Sequence, residues 1–184
     1  MSADSDGAFG GLIGLKNVLF GGFTRGRFVE WLSLPIVSEK FDLESDDLAI
    51  LNRWLAAAGF EVGLNPAHLD AQRDAQAADP RQTQVYAPAA LHELTLERAL
   101  ERLAFGWMLP QDEDAAPYGD VLPVVGTELG GWDATGEKSG LLLKLANLYA
   151  VLETLRLKTA EGEKLTDGTS AHFWTLWIGE ALQK

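Results

Sequence analysis

Between residues 141 and 158 the chain places apolar side chains on nearly every side of a helix. Leu141, Leu142, Leu143, Leu145, Leu148, Tyr149, Val151, Leu152, Leu155 and Leu157 leave a narrow polar stripe of Lys144, Asn147, Thr154 and Lys158. A helix that is apolar all round holds its shape in water only when other elements cover it, so this one belongs at the centre of a fold. Each fully buried leucine contributes roughly 1.5–3 kcal/mol, which makes the helix the organiser of a core. The expected fold class is mainly α, a single helical domain over residues 1–184. A small β element drawn from runs at 60–64, 83–87 and 121–125 is an addition, and α+β is the alternative class. A chain of 184 residues with 47% hydrophobic content is long enough to bury roughly 70% of its unfolded surface in one domain.

The remaining elements follow from periodicity and punctuation. Residues 9–35 are rich in glycine and large apolar residues, which predicts short buried helices broken at Gly21-Gly22 and at Gly26. Leu48, Leu51, Trp54, Leu55 and Ala58 recur at helical spacing behind the acids Asp42, Glu44, Asp46 and Asp47. Acids in a first turn complement the helix dipole, and Gly59 suits the left-handed residue that closes such a helix. Asn65-Pro66 predicts the start of another helix, reaching Ala78, because asparagine caps and proline fits the first turn. With Leu69 as its single large apolar residue, that helix is expected to lie exposed. Leu91, Leu94, Leu96, Leu100, Leu103 and Trp107 predict one amphipathic helix ending near Pro110. A last helix is expected over 169–182, packed on the central one.

Charge is the second constraint. Residues 41–133 hold 17 of the 27 acids and only 5 of the 15 bases, which accounts for the whole formal charge of −12, while the two flanks are neutral. Such a field repels nucleic acid and anionic membrane and attracts basic partners. The chain has no cysteine, so disulfides, thiolate metal sites and cysteine nucleophiles are excluded. Its acidic start does not read as a secretory signal, and no run approaches the roughly 20 apolar residues of a membrane span. A cytoplasmic location without membrane contact is expected.

Motifs for chemistry fail one by one. Gly131, Gly136, Glu137, Lys138 and Ser139 approach a phosphate-binding loop, but Glu137 stands between the glycine and the lysine and shifts the register. The alternative is a surface turn in which Ser139 caps the central helix. His92-Glu93 begins like a zinc-protease motif, yet Leu96 occupies the position of the second histidine. An EF-hand around Asp112 meets Pro117 and Pro123 where glycine and glutamate are required. His68, His92 and His172 fall on three different predicted helices, which favours structural roles. No cofactor, no metal and no catalytic residue are assigned.

The two acid clusters remain. Asp42, Glu44, Asp46 and Asp47 precede one amphipathic helix, whereas Asp112, Glu113 and Asp114 follow another, so antiparallel packing would bring both to one end. Tyr118 and Trp132 supply aromatic anchors of the kind that carry binding energy. These nine residues form the expected partner-binding face, docking a basic protein in the manner of an inhibitor or immunity-type protein. The alternatives are a structural subunit of a viral or secretion particle and a small enzyme with an acid and histidine site.

Overall fold

The computed structural model describes residues 3–20, 22–77, 88–108, 117, 119–124 and 137–161. The fold over these residues is mainly α, with eight helices and no strand. In chain order they are α1 (Ala3–Phe20), α2 (Arg25–Leu32), α3 (Pro35–Lys40), α4 (Ser45–Ala57), α5 (Pro66–Ala77), α6 (Pro88–His92), α7 (Leu96–Met108) and α8 (Glu137–Glu161).

α1 ends at Phe20 and α2 begins at Arg25, so the expected break at Gly21-Gly22 falls between two helices, although α1 itself is longer than a short helix. Two of the glycines in α1 serve close packing: an added Cβ on Gly11 would stand 2.8 Å from Ile36 Cγ2, and one on Gly14 would stand 2.8 Å from Trp31 Cδ1. Trp31 Nε1 donates to Gly11 O at 3.1 Å across the same contact. Gly26 breaks nothing, because Thr24 caps α2, accepting from Arg27 N, and carries the chain through its first turn.

Aromatic rings fill the space behind α1 and α2. Phe23, Phe28 and Phe60 are fully buried, with ring centroids 5.4–6.0 Å apart. α4 is closed as its sequence predicts: Gly59 takes φ +75°, and Phe60 N donates back to Leu55 O at 2.9 Å. Beyond it the extended segment 60–64 forms one isolated antiparallel bridge, Val62 to Thr24, and not a strand. It is stitched on both sides, by Gly63 N to Phe23 O at 2.7 Å and by Glu61 N to Leu94 O at 2.9 Å. The α1–α2 link and the α6–α7 link are therefore fastened to one piece of backbone.

The single helix expected over 91–107 is divided. Thr95 donates its hydroxyl to His92 O at 3.0 Å and accepts from Arg98 N, so it closes α6 and caps α7. Segment 121–124 is likewise not a strand but a strap across α7. Val124 N donates to Arg102 O at 3.1 Å, and Val121 and Val124 are buried. The crossing depends on Gly106, where a Cβ would stand 2.1 Å from Val124 O.

In α8, Leu141, Leu145, Leu148, Leu152 and Leu155 are buried on one face against the core. Leu143 is 62% exposed, so the helix lies against the core instead of running through its middle. It begins at Glu137, which puts Ser139 inside the first turn and not at the cap. The expected β run at 83–87 and the expected last helix at 169–182 lie outside the described residues.

Candidate functional site

Four of the nine expected partner-binding residues are described, and three of them have structural work. Glu44 and Asp47 form a reciprocal capping box at the start of α4, in which Asp47 Oδ2 accepts from Glu44 N at 3.1 Å. Asp42 closes α3 with φ +52°, a conformation aspartate tolerates better than most residues, while Leu43 N reaches back to Ser38 O at 2.8 Å. Lys144 of α8 donates to both the backbone O and the carboxylate of Asp42. Asp46 is exposed in the first turn of α4. Asp112, Glu113, Asp114, Tyr118 and Trp132 lie outside the described residues, as does His172.

The most connected polar group is a seam where α1, α5, α7 and α8 meet. Asn65 caps α5 by accepting from His68 N at 2.9 Å, and its amide donates to Tyr149 Oη at 3.3 Å. Tyr149 in turn donates to Glu97 Oε1 at 2.9 Å. Burial, together with the Glu97 carboxylate, pushes the Tyr149 hydroxyl up to about 12, so it remains a donor throughout the physiological range. One turn along α8, Arg156 holds Glu153 through two bonds of 2.7 Å. That fork keeps the Glu153 carboxyl below the usual carboxylate range.

His68 completes the seam and is 4% exposed. Leu64 N donates to its Nδ1 at 3.1 Å, which fixes the proton on Nε2, and Nε2 donates to Leu19 O at 2.8 Å. Gln72 Nε2 lies 3.4 Å from the same carbonyl. Leu19 O is one of the last carbonyls of α1, which lack a partner within their own helix, so α5 caps α1 with side chains. Desolvation lowers the His68 pKa, and with both ring nitrogens engaged the imidazole has no free edge for a substrate. This also corrects the expectation that α5 lies exposed: its first turn is fastened to three other elements. Tyr149, Asn65 and Glu97 were not foreseen as a group. The signal was a lone tyrosine on an otherwise leucine-rich helix, which as a buried residue requires a partner for its hydroxyl.

The other histidine and carboxylate pair is His92 Nε2 with Asp70 Oδ1 at 3.3 Å, their side chains 30% and 42% exposed. It joins α6 to α5 at the surface. A second charged group ties the strap to α7: Arg98 pairs with Glu93, Glu101 and Asp120, and Arg102 bridges Glu93 and Ala58 O. The hydrogen bond from Arg98 holds the Asp120 carboxyl down. Among the described residues no group of three or more His, Asp or Glu could hold a metal ion, and no helix is long and apolar enough to cross a membrane.

One open groove of about 550 Å³ runs between α1 and α2, floored by Ile13, Val18, Trp31 and Leu34 and edged by Asn17, Arg27 and Glu30. It contains no histidine and a single carboxylate, so it offers shape and apolar surface rather than acid and base chemistry.

Among the described residues, the helices are held by buried polar contacts beside an open groove. Residues 7–183 match the model of the RecBCD enzyme subunit RecC fourth domain. The chain belongs to that family. No curated protein matches it. Membership in the RecC fourth-domain family overturns the reading as an inhibitor or immunity-type protein with an acidic face for a basic partner, together with its exclusion of nucleic acid. The viral or secretion particle is set aside on the same ground, since the matched family is a domain of a RecBCD enzyme subunit. The physical reason is that a net charge of −12 sets the sign of a long-range field and does not select a partner. RecC is a non-catalytic subunit, and at that level the expectation of a chain without catalysis of its own stands.

Proposed function

We propose that the chain is a non-catalytic structural domain of a RecBCD-type, DNA-processing assembly. The match of residues 7–183 to the RecC fourth domain carries this reading. Its partners are the other components of such an assembly and the DNA on which it works. The seam around His68 and Tyr149 supports the reading by making the helices a preorganised body, which loses little freedom on docking.

The test is to purify the full chain with the remaining RecBCD-type subunits of the same cell and to measure co-elution and duplex unwinding. Co-elution, with unwinding that falls when the chain is left out, is the expected result. A chain that elutes alone at micromolar concentration and leaves unwinding unchanged would overturn it.

A further inference from the structure

We propose that His68 is a pH-sensitive latch that fastens the C-terminal end of α1 to the start of α5 at neutral pH and releases it on acidification. The geometry leaves the ring one way to bind. Nδ1 accepts from Leu64 N and Nε2 donates to Leu19 O, so a second proton must go on Nδ1, where it faces an N–H donor. Protonation therefore breaks the Leu64 contact and places a cation in a site 4% exposed.

The neighbours offset that charge only in part: Leu19 O and the Glu153 carboxylate favour a charged ring, but burial, with Arg156 beside it, outweighs them. From α8, Arg156 and Glu153 face His68, but they are committed to each other through the fork described above. The link after α1 presents the Phe23 ring, edge-on with centroids 5.8 Å apart. α1 presents Leu19 O, and α5 itself presents Gln72. The titratable groups elsewhere on α5, Asp70, Arg73 and Asp74, are paired among themselves and with His92 nearer the surface. The cation is consequently stable only in an open form, with the imidazole in water.

Proton uptake by the open form sets the direction of the response. The closed form is favoured above the ordinary histidine value of 6.5, and its advantage falls about tenfold for each pH unit below it. Between pH 7.5 and 5.5 the open population rises roughly tenfold. Release loosens the end of α1 next to Asn17 and Val18, which line the groove, so the latch couples pH to the shape of that groove.

Amide hydrogen exchange on the full chain at pH 7.5 and 5.5, corrected for the intrinsic pH dependence of exchange, tests the latch. The expected result is a roughly tenfold loss of protection at Leu64 and in the last turn of α1, absent in His68→Gln and retained in His92→Gln. An equal loss in His68→Gln, or no loss in the parent chain, would overturn the proposal. Should His68→Gln fail to fold, ¹⁵N spectra of the parent imidazole decide instead. An Nε2–H tautomer that persists below pH 6.5 in the closed form supports the latch, and free titration near 6.5 without any change at Leu64 refutes it.

Discussion

The aromatic block behind α2 and the polar seam along α8 bury side chains of similar size by different means. Phe23, Phe28 and Phe60 meet as rings, are fully buried and have no directional bond to satisfy. Asn65, His68, Glu97 and Tyr149 meet as donors and acceptors, and each contact requires both partners. The block derives its stability from removed apolar surface, whereas the seam adds less energy and more definition, because a typical hydrogen bond contributes a net of only about 1 kcal/mol. The block is indifferent to protons; the seam is not.

The largest way to break this contrast is Phe28→Ala. It leaves a cavity among rings that cannot collapse together, and urea unfolding should lose about 3–5 kcal/mol by the usual behaviour of such truncations, equally at pH 7.5 and 5.5. A loss that depends on pH would mean that the block and the seam are one unit. An intermediate effect belongs to Gly106→Ala, which tests backbone approach rather than either kind of side chain. Its methyl group would stand 2.1 Å from Val124 O, so the strap must lift, at about 1–3 kcal/mol. The same urea melts measure it; a neutral result would show that α7 shifts without strain. The smallest effect is that of Tyr149→Phe, which strands Glu97 Oε1 in a half-buried position, leaves Asn65 with its contact to Glu153, and should cost about 1 kcal/mol. A cycle with Glu97→Gln sharpens it, since coupling near zero would show that water satisfies the carboxylate as well as the phenol does.

What could be read in the sequence was whatever local rules decide. α4 with its Gly59 closure and α5 with its Asn65 cap both follow from residues within one turn of the event. The 3.6 period misled at 93–95, since Leu91, Leu94 and Leu96 keep the spacing while Thr95 turns the backbone. Gly26 misled in the opposite direction, because the cap at Thr24 outweighs one glycine in a first turn. The seam could not be read as a group. Asn65, Glu97 and Tyr149 are up to 84 positions apart, and nothing local marks them as partners. The acids at 42–47 were visible as a helix start, and the capping box and the contact from Lys144 use most of them within the fold.

The strap at Gly106 has a consequence for how the chain can be altered. Val124 on Arg102 and Asp120 on Arg98 tie residues 120–124 to α7 at two separate points. A substitution that removes one tie leaves the other, so a single change at Arg98 or at Gly106 loosens the strap without releasing it.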